Sequence, residues 1–357
     1  MSPENFSTTA YMFLVSVVGS AGNVLVILAI VHKRRLRTIP NYFLFNLAVC
    51  DLLNCSLAIP LRLVEGFQPG SIPCSVVIAL TVLFDGLSRL NIIFISIDRF
   101  IAIKYPLGYS LFMTHKNATA LITSGWLIMV VFSILPVMGV GSAPTEILSN
   151  NQGLCFFSTN LSKAYLLVFL IALCLPPLIL ATLINFFLLK TSHRQMRVIH
   201  DQQANIESGT VENNSLEISA TNTNVTFSTN GEGTSSLKVR HYKRKILALR
   251  QRRVVKMVII LVGLFIILVL PITLIDLVSA FGESGVPPLV AKLAVCMIYT
   301  NTTVNVFVYA GFIGEFRRAF SQLIRAGRAR FVSLFQFAKC WYFVLLGPFS
   351  SKLLIPT

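Results

Sequence analysis

Residues 74–99 read CSVVIALTVLFDGLSRLNIIFISIDR, and between Ser75 and Ile97 the only charged side chains are Asp85 and Arg89. A helix needs about 20 mostly apolar residues to cross the hydrocarbon core of a bilayer. A lone strand cannot cross, because its amides and carbonyls would have no partners there. A run of this length is therefore expected to be a membrane-spanning helix. Six further runs share its character. Tyr11–Val31, Ala118–Val140 and Ala164–Leu189 carry no charge, Asn41–Leu61 carries Asp51 alone, Met257–Phe281 carries Asp276, and Leu289–Ile313 carries Lys292. The expected fold is an all-α membrane protein, a seven-transmembrane helix bundle.

Composition agrees. The 357-residue chain is 55% hydrophobic and only 12% charged, with mean hydropathy +0.74, where soluble domains carry about 25% charged residues. A net charge of +16 on a soluble surface would suggest nucleic acid. Here the basic residues cluster between apolar runs, so no nucleic-acid partner is expected and the lipid bilayer is. Lys and Arg mark cytoplasmic loops. Lys33, Arg34, Arg35 and Arg37 follow span one, Lys190, Arg194 and Arg197 follow span five, Arg250, Arg252, Arg253 and Lys256 precede span six, and Arg317 and Arg318 follow span seven. The opposite loops hold little beyond Arg62, Lys163 and Lys292. The N-terminus is expected outside, in the plasma membrane, and Tyr11–Val31 is read as a retained span rather than a cleaved signal.

Three regions follow. Residues 1–10 form an extracellular tail, 11–313 the transmembrane domain, and 314–357 a cytoplasmic amphipathic helix and tail. The third cytoplasmic loop, about 191–249, has a centre, Ala204–Ser236, rich in Asn, Ser, Thr and Gly, a composition that favours disorder. After span seven, Ile313, Phe316, Phe320, Leu323 and Ile324 fall at helical spacing beside Arg317 and Arg318, as in a short helix lying on the inner membrane face. Phe331–Phe349 is apolar but contains Lys339, and reads as an interfacial segment rather than an eighth span. No catalytic domain, nucleotide-binding glycine loop or metal-ligand cluster is legible, so the chain is not expected to be an enzyme. Of seven cysteines, Cys74 and Cys155 lie on the outer, oxidising side, where a bridge is chemically allowed. Asn5 and Asn160 begin outward-facing glycosylation sequons; those at Asn213 and Asn224 fall in the cytosol.

Taken in order, one group of motifs per helix resembles the class A, rhodopsin-like G-protein-coupled receptors, from about Gly22 to Phe320. They are Gly22-Asn23-Val24, Asn46-Leu-Ala-Val-Cys-Asp51, Cys74 with Asp98-Arg99-Phe100 following, Trp126, Pro176 or Pro177, Phe265 with Pro271, Asn305-Val-Phe-Val-Tyr309, and Phe316-Arg-Arg-Ala-Phe320. The spacing from Cys74 to Arg99 rises about 37 Å, enough to put one at each membrane surface. The resemblance implies a receptor that binds a small extracellular ligand in the bundle and activates a heterotrimeric G protein, with arrestin and a receptor kinase as further partners.

The resemblance also assigns residues. Asp98, Arg99 and Tyr309 belong to G-protein coupling, with Asp98 holding Arg99 in the inactive state; alone, Arg99 would read as a basic side chain reaching the lipid headgroups. A second acidic clasp on helix six is absent, its place falling near Gln251. Asp51, Ser88, Asn301 and Asn305, with Asn23 nearby, correspond to the family's sodium pocket, all oxygen donors suited to a hard cation. The bland alternative is a hydrogen-bonded network without an ion, in which Arg89 does the ion's work. No other metal or cofactor is expected. Asp85 and Arg89, spaced i, i+4, can pair on one helix face, or Asp85 can meet a ligand cation at the pocket floor. The ligand pocket is expected around Thr81, Asp85, Phe157, Asp276 and Tyr299, and the Cys74–Cys155 bridge would tie the outer loop to helix three.

The departures narrow the ligand. The aminergic receptors' aspartate is Thr81 here. The helix-six tryptophan is Val269, the helix-five tyrosine is Ile184 or Asn185, and the span-seven proline is Val306. An opsin's Schiff-base lysine is Tyr299, with Lys292 too far out. Ile39-Pro-Asn-Tyr42, Leu57-Ala-Ile-Pro60 and Ile97-Asp-Arg-Phe-Ile-Ala-Ile-Lys-Tyr-Pro106 look most like adenosine receptors, whose ring-stacking phenylalanine is matched by Phe157. Their neighbouring glutamate is Ser158 and their helix-six asparagine is Asp276. An adenosine-like nucleoside is the first expected ligand and a biogenic-amine-like cation the alternative. A signalling-deficient seven-helix scaffold is the rival supported by the missing switches. A transporter is disfavoured because no repeat relates the two halves of the chain.

Overall fold

A computed structural model describes residues 3–68, 71–141, 161–191, 194, 232–281 and 287–326, with residues 3–5, 232–252 and 288 described for backbone only. Among the described residues, seven helices are long and apolar enough to cross a membrane. They are α1 (Pro3–His32), α2 (Ile39–Phe67), α3 (Cys74–Lys104), α4 (His115–Ile134), α5 (Lys163–Thr191), α6 (Glu232–Phe281) and α7 (Pro288–Phe312). A one-turn helix, Tyr109–Phe112, joins α3 to α4. A break at Ile313, with φ −107° and ψ 101°, separates α7 from α8, residues 314–326.

Three boundaries differ from expectation. Helix α1 starts at Pro3, so most of the stretch read as a tail, 1–10, continues the first span as helix. Helix α4 stops at Ile134 rather than Val140. Pro136 has no N–H to give the Phe132 carbonyl, and Tyr165 on α5 donates to that oxygen instead, at 2.6 Å. The chain then turns through Gly139 and Gly141, both at φ near +80° (81° and 79°), which glycine adopts without steric cost. Helix α6 begins at Glu232, inside the segment expected to be loop until about 249. Residues 204–231 of that loop's centre and the apolar 331–349 segment lie outside the described residues.

Two spans contain a π-helical turn, Asn54–Ala58 in α2 and Leu170–Cys174 in α5. Proline lacks an N–H and its ring crowds the carbonyl four residues earlier. For Pro60 that carbonyl is Ser56's, for Pro176 it is Ala172's, and each lies inside its π turn. The widened turn relieves the clash. Ser16 on α1 donates to the Cys55 carbonyl at 2.6 Å, satisfying a backbone oxygen within the turn.

Large apolar side chains line the outer surface as well as the core. Phe13, Leu127, Leu183, Phe186, Ile267, Leu293 and Phe307 are all exposed, while Asn23, Asp51, Asn54, Asp85, Arg89, Asp98, Asp276 and Asn305 are buried. Apolar side chains facing outward suit lipid, and intramembrane ionisable groups turn towards the bundle interior. Helix α3 lies at the centre, touching α2, α4 and α6. Gly86 lets α4 close on it, since a Cβ there would stand 2.0 Å from the Met129 methyl. Trp126 on α4 donates to Asn46 at 3.1 Å, and Asn46 to Asn91 at 2.8 Å, which ties α4, α2 and α3. The expected amphipathic helix after span seven is present as α8, with Phe316 and Phe320 buried and Arg317 and Arg318 exposed.

Candidate functional site

The buried polar residues form three tiers. The middle tier centres on Asp51, which is 0% exposed. Ser88 on α3 donates to its Oδ1 at 2.7 Å, and Asn305 on α7 donates to its Oδ2 at 2.9 Å. Asn23 on α1 donates to the carbonyls of Gly19 at 2.9 Å and Thr302 at 3.0 Å. Gly19 makes this junction tight, because a Cβ there would meet Cys55 Sγ at 2.5 Å and Thr303 Oγ1 at 2.7 Å. The side-chain oxygens of Asn23, Asn54 and Asn301 are buried without a donor.

The tier nearer Cys74 holds five buried charged side chains, Arg62, Glu65, Asp85, Arg89 and Asp276. Asp85 accepts from Asn54 at 2.6 Å rather than from Arg89. The expected i, i+4 hydrogen bond between them is not formed, and Asn54, at the start of the π turn, supplies the donor instead. Arg89 Nη1 is buried with no hydrogen-bond partner. Its charge bears on Asp85, Asp276 and Cys174. Arg62, expected in a loop, is a buried residue of α2 whose charge also reaches Asp85 and Asp276. Its guanidinium stands 6.0 Å from the Tyr299 ring centre, within cation–π range. The Tyr299 hydroxyl is buried, with Thr81 and Arg62 beside it. Thr81 donates to the Val77 carbonyl at 2.8 Å. Glu65, also on α2 and buried, accepts from the Ile72 amide at 3.1 Å.

The third tier lies at the opposite end of α3. Arg99 is ion-paired with Asp98, its Nε donating to Oδ2 at 2.7 Å. Tyr109, from the one-turn helix, donates to Asp98 Oδ1 at 2.7 Å. Burial, and then the Asp98 charge, push the Tyr109 phenol above its ordinary value, which keeps it a donor. Tyr309 is fully buried with its hydroxyl unpartnered, and its ring packs 6.0 Å from that of Phe316 on α8.

Sequence reading missed Asn54, Arg62, Glu65 and Tyr109 as members of these tiers. Ile59, Arg62 and Glu65 recur at helical spacing, which could have carried span two past Leu61. Cys74 is disulfide-bonded and Cys50, Cys55, Cys174 and Cys296 are free; Cys155, Phe157 and Asn160 lie outside the described residues. Asn5 falls in the first turn of α1.

The sequence model of the family described as 7 transmembrane receptor (rhodopsin family) matches residues 22–309. The chain is 26% identical over 314 residues to the alpha-1A adrenergic receptor of Mus musculus, covering 86% of this chain and 65% of that receptor. With the octopamine receptor beta-2R of Chilo suppressalis it shares 27% identity over 326 residues, 88% of this chain and 79% of the relative. With the adenosine receptor A2a of Homo sapiens it shares 27% over 325 residues, 87% and 70%. The chain spans just under two thirds of the length of the adrenergic relatives it matches, 65% in four of them and 64% in another.

Proposed function

Because the chain belongs to the rhodopsin family of seven-transmembrane receptors, a multi-pass and non-enzymatic class, we propose that it is a plasma-membrane receptor with its N-terminus outside. It binds a small extracellular ligand among the charges near Cys74 and activates a heterotrimeric G protein at the Arg99 end. The observation that carries this reading is the Asp98 clasp on Arg99. Arg99 is held by its own neighbour, so a bundle rearrangement can release it to a partner. Two packings of one bundle, biased by a ligand at one end and a protein at the other, suffice for signalling. Arrestin and a receptor kinase would compete for or modify the same end.

The adrenergic, octopamine and adenosine relatives match at nearly equal identity, so identity does not choose among their ligands. The site favours a small ring-bearing molecule with a hydrogen-bond-donating or cationic group. Asp276 is buried under the influence of Arg89 and Arg62, and Thr81 stands where the amine receptors place their aspartate. An adenosine-like nucleoside is therefore the first candidate and an aromatic amine the second. Reconstituting the chain with purified G proteins and screening nucleosides and amines by nucleotide exchange tests the reading. Stimulation by one class is expected; silence of every G protein, basal and stimulated, would favour a scaffold.

The family's sodium ion fits the middle tier. Buried side-chain oxygens without donors accompany a buried carboxylate, and a hard cation takes oxygen ligands. Asp51, Ser88, Asn301 and Asn305 would hold it, as an allosteric ligand.

A further inference from the structure

Arg89 is 6% exposed, and its Nη1 has no hydrogen-bond partner. A guanidinium carries five N–H donors and no acceptor, and a buried charge without hydrogen bonds is costly unless something answers it. Its own helix does not, since Asp85 takes its hydrogen bond from Asn54. From α6 comes Asp276, 7% exposed, which feels the Arg89 charge more strongly than that of Arg62. Cys174, in the π turn of α5, feels Arg89, Asp276 and Asp85 together. The three charges and this small thiol therefore share one neighbourhood between α3, α5 and α6. Among the described residues no ion pair or hydrogen bond joins Arg89 to Asp276. They are an unclosed pair, too far apart to touch and close enough to feel one another.

Such a pair selects by chemistry. An ammonium group would answer Asp276 and be repelled by Arg89. A carboxylate would answer Arg89 and be repelled by Asp276. An uncharged unit with an N–H donor beside an acceptor answers both, and the two fixed charges cancel around it. The edge of a heteroaromatic base has that pattern. A charge that repels the wrong ligand contributes to specificity as much as a contact to the right one.

We propose that Arg89 is a specificity-determining residue of the ligand site: with Asp276 it reads the donor–acceptor edge of an uncharged ring, and its charge turns simple amines away. The proposal rests on the reading of the Cys74 end as the ligand site and deepens it. Asp276 accepts from the ring's N–H, Arg89 donates to the neighbouring acceptor, and Asp85 stays with Asn54.

The test measures binding to the full chain in detergent by equilibrium dialysis, with the thermal unfolding midpoint checking the fold of each variant. One probe is adenosine and one is octopamine. A third is adenosine dimethylated on its exocyclic amine, which loses the donor. Two deaza analogues each lack one ring-nitrogen acceptor beside that amine. Adenosine is expected to bind more tightly than octopamine. The dimethylated analogue and one deaza analogue should bind about tenfold or more weakly than adenosine, the effect of losing a hydrogen bond to a charged group. Arg89→Gln keeps N–H donors without the charge; octopamine should gain about tenfold, the repulsion being removed, while adenosine weakens. Arg89→Lys, which keeps the charge, should still exclude octopamine. Opposite movement of two probes in one variant cannot come from a loosened fold, and if Arg89→Gln does not fold, the analogue series on the unaltered chain decides alone. No saturable binding of adenosine, octopamine binding as tightly as adenosine, full affinity for both deaza analogues, or both probes moving the same way in Arg89→Gln would each overturn the proposal. Basal nucleotide exchange that disappears in Arg99→Ala judges the receptor reading without any ligand, so its survival beside one of these outcomes confines the failure to Arg89.

Discussion

Tyr109 donates to Asp98 Oδ1 at 2.7 Å, on the oxygen opposite the one that holds Arg99. One carboxylate is thus gripped from both sides, and the loop between α3 and α4 sets the angle at which Asp98 meets Arg99. Tyr109→Phe removes a hydrogen bond to a charged group, worth about 1.5–3 kcal/mol, only part of which reaches Arg99. Basal nucleotide exchange should rise several-fold in reconstituted vesicles at matched receptor density. An unchanged basal rate would show that the loop does not support the clasp.

Arg99→Ala removes the side chain that the proposed coupling requires. Ligand-stimulated exchange should fall to background while ligand affinity changes little. A well-expressed mutant with normal exchange would assign coupling to other residues.

The middle tier gives a prediction about ions. Sodium chloride, compared with choline chloride at equal ionic strength, should raise the thermal unfolding midpoint of the purified chain by a few degrees. Asp51→Asn should abolish that difference. Asn305→Ala leaves Asp51 Oδ2 buried and unpaired, at a cost of about 1–3 kcal/mol, so its midpoint should drop in either salt.

At the Cys74 end, Asp276→Asn and Asp85→Asn separate the two ligand classes. An amine agonist should lose potency in at least one variant. A nucleoside should tolerate Asn at position 276 or gain from it. An agonist indifferent to both changes would place the ligand elsewhere.

Cys74 is already in a disulfide, and Cys155 is the partner expected. Replacing either cysteine with serine should lower surface expression to a similar degree, and the double replacement should be no worse than the singles. Peptide mapping without reduction would identify the linked pair directly; a bridge from Cys74 to any other cysteine would refute it.

Hydropathy made the seven spans legible because it reports the lipid-facing surface, and Phe13, Leu183 and Phe307 are part of that surface. It was blind to polar helical turns that face inward near a helix end. Arg62 and Glu65 looked like loop residues for that reason, although α2 runs to Phe67. The motif residues Asp51, Ser88 and Asn305 came together as the family resemblance implied. Asp85 did not pair as spacing implied, because a one-helix rule cannot anticipate Asn54 arriving from the neighbouring helix. Tyr109 carried no periodic signal at all; only the fold of a short connection brings it to Asp98.

The wide turn at Asn54–Ala58 sets the rotational phase of the rest of α2. Each residue of an α-helix advances its side chains by about 100°. Deleting one residue from this turn would restore ordinary winding and swing everything beyond it by roughly that angle. Arg62 and Glu65, now turned into the protein, would then be aimed partly at hydrocarbon. One extra position in the turn thus decides whether two charges serve the interior or become insoluble in the bilayer.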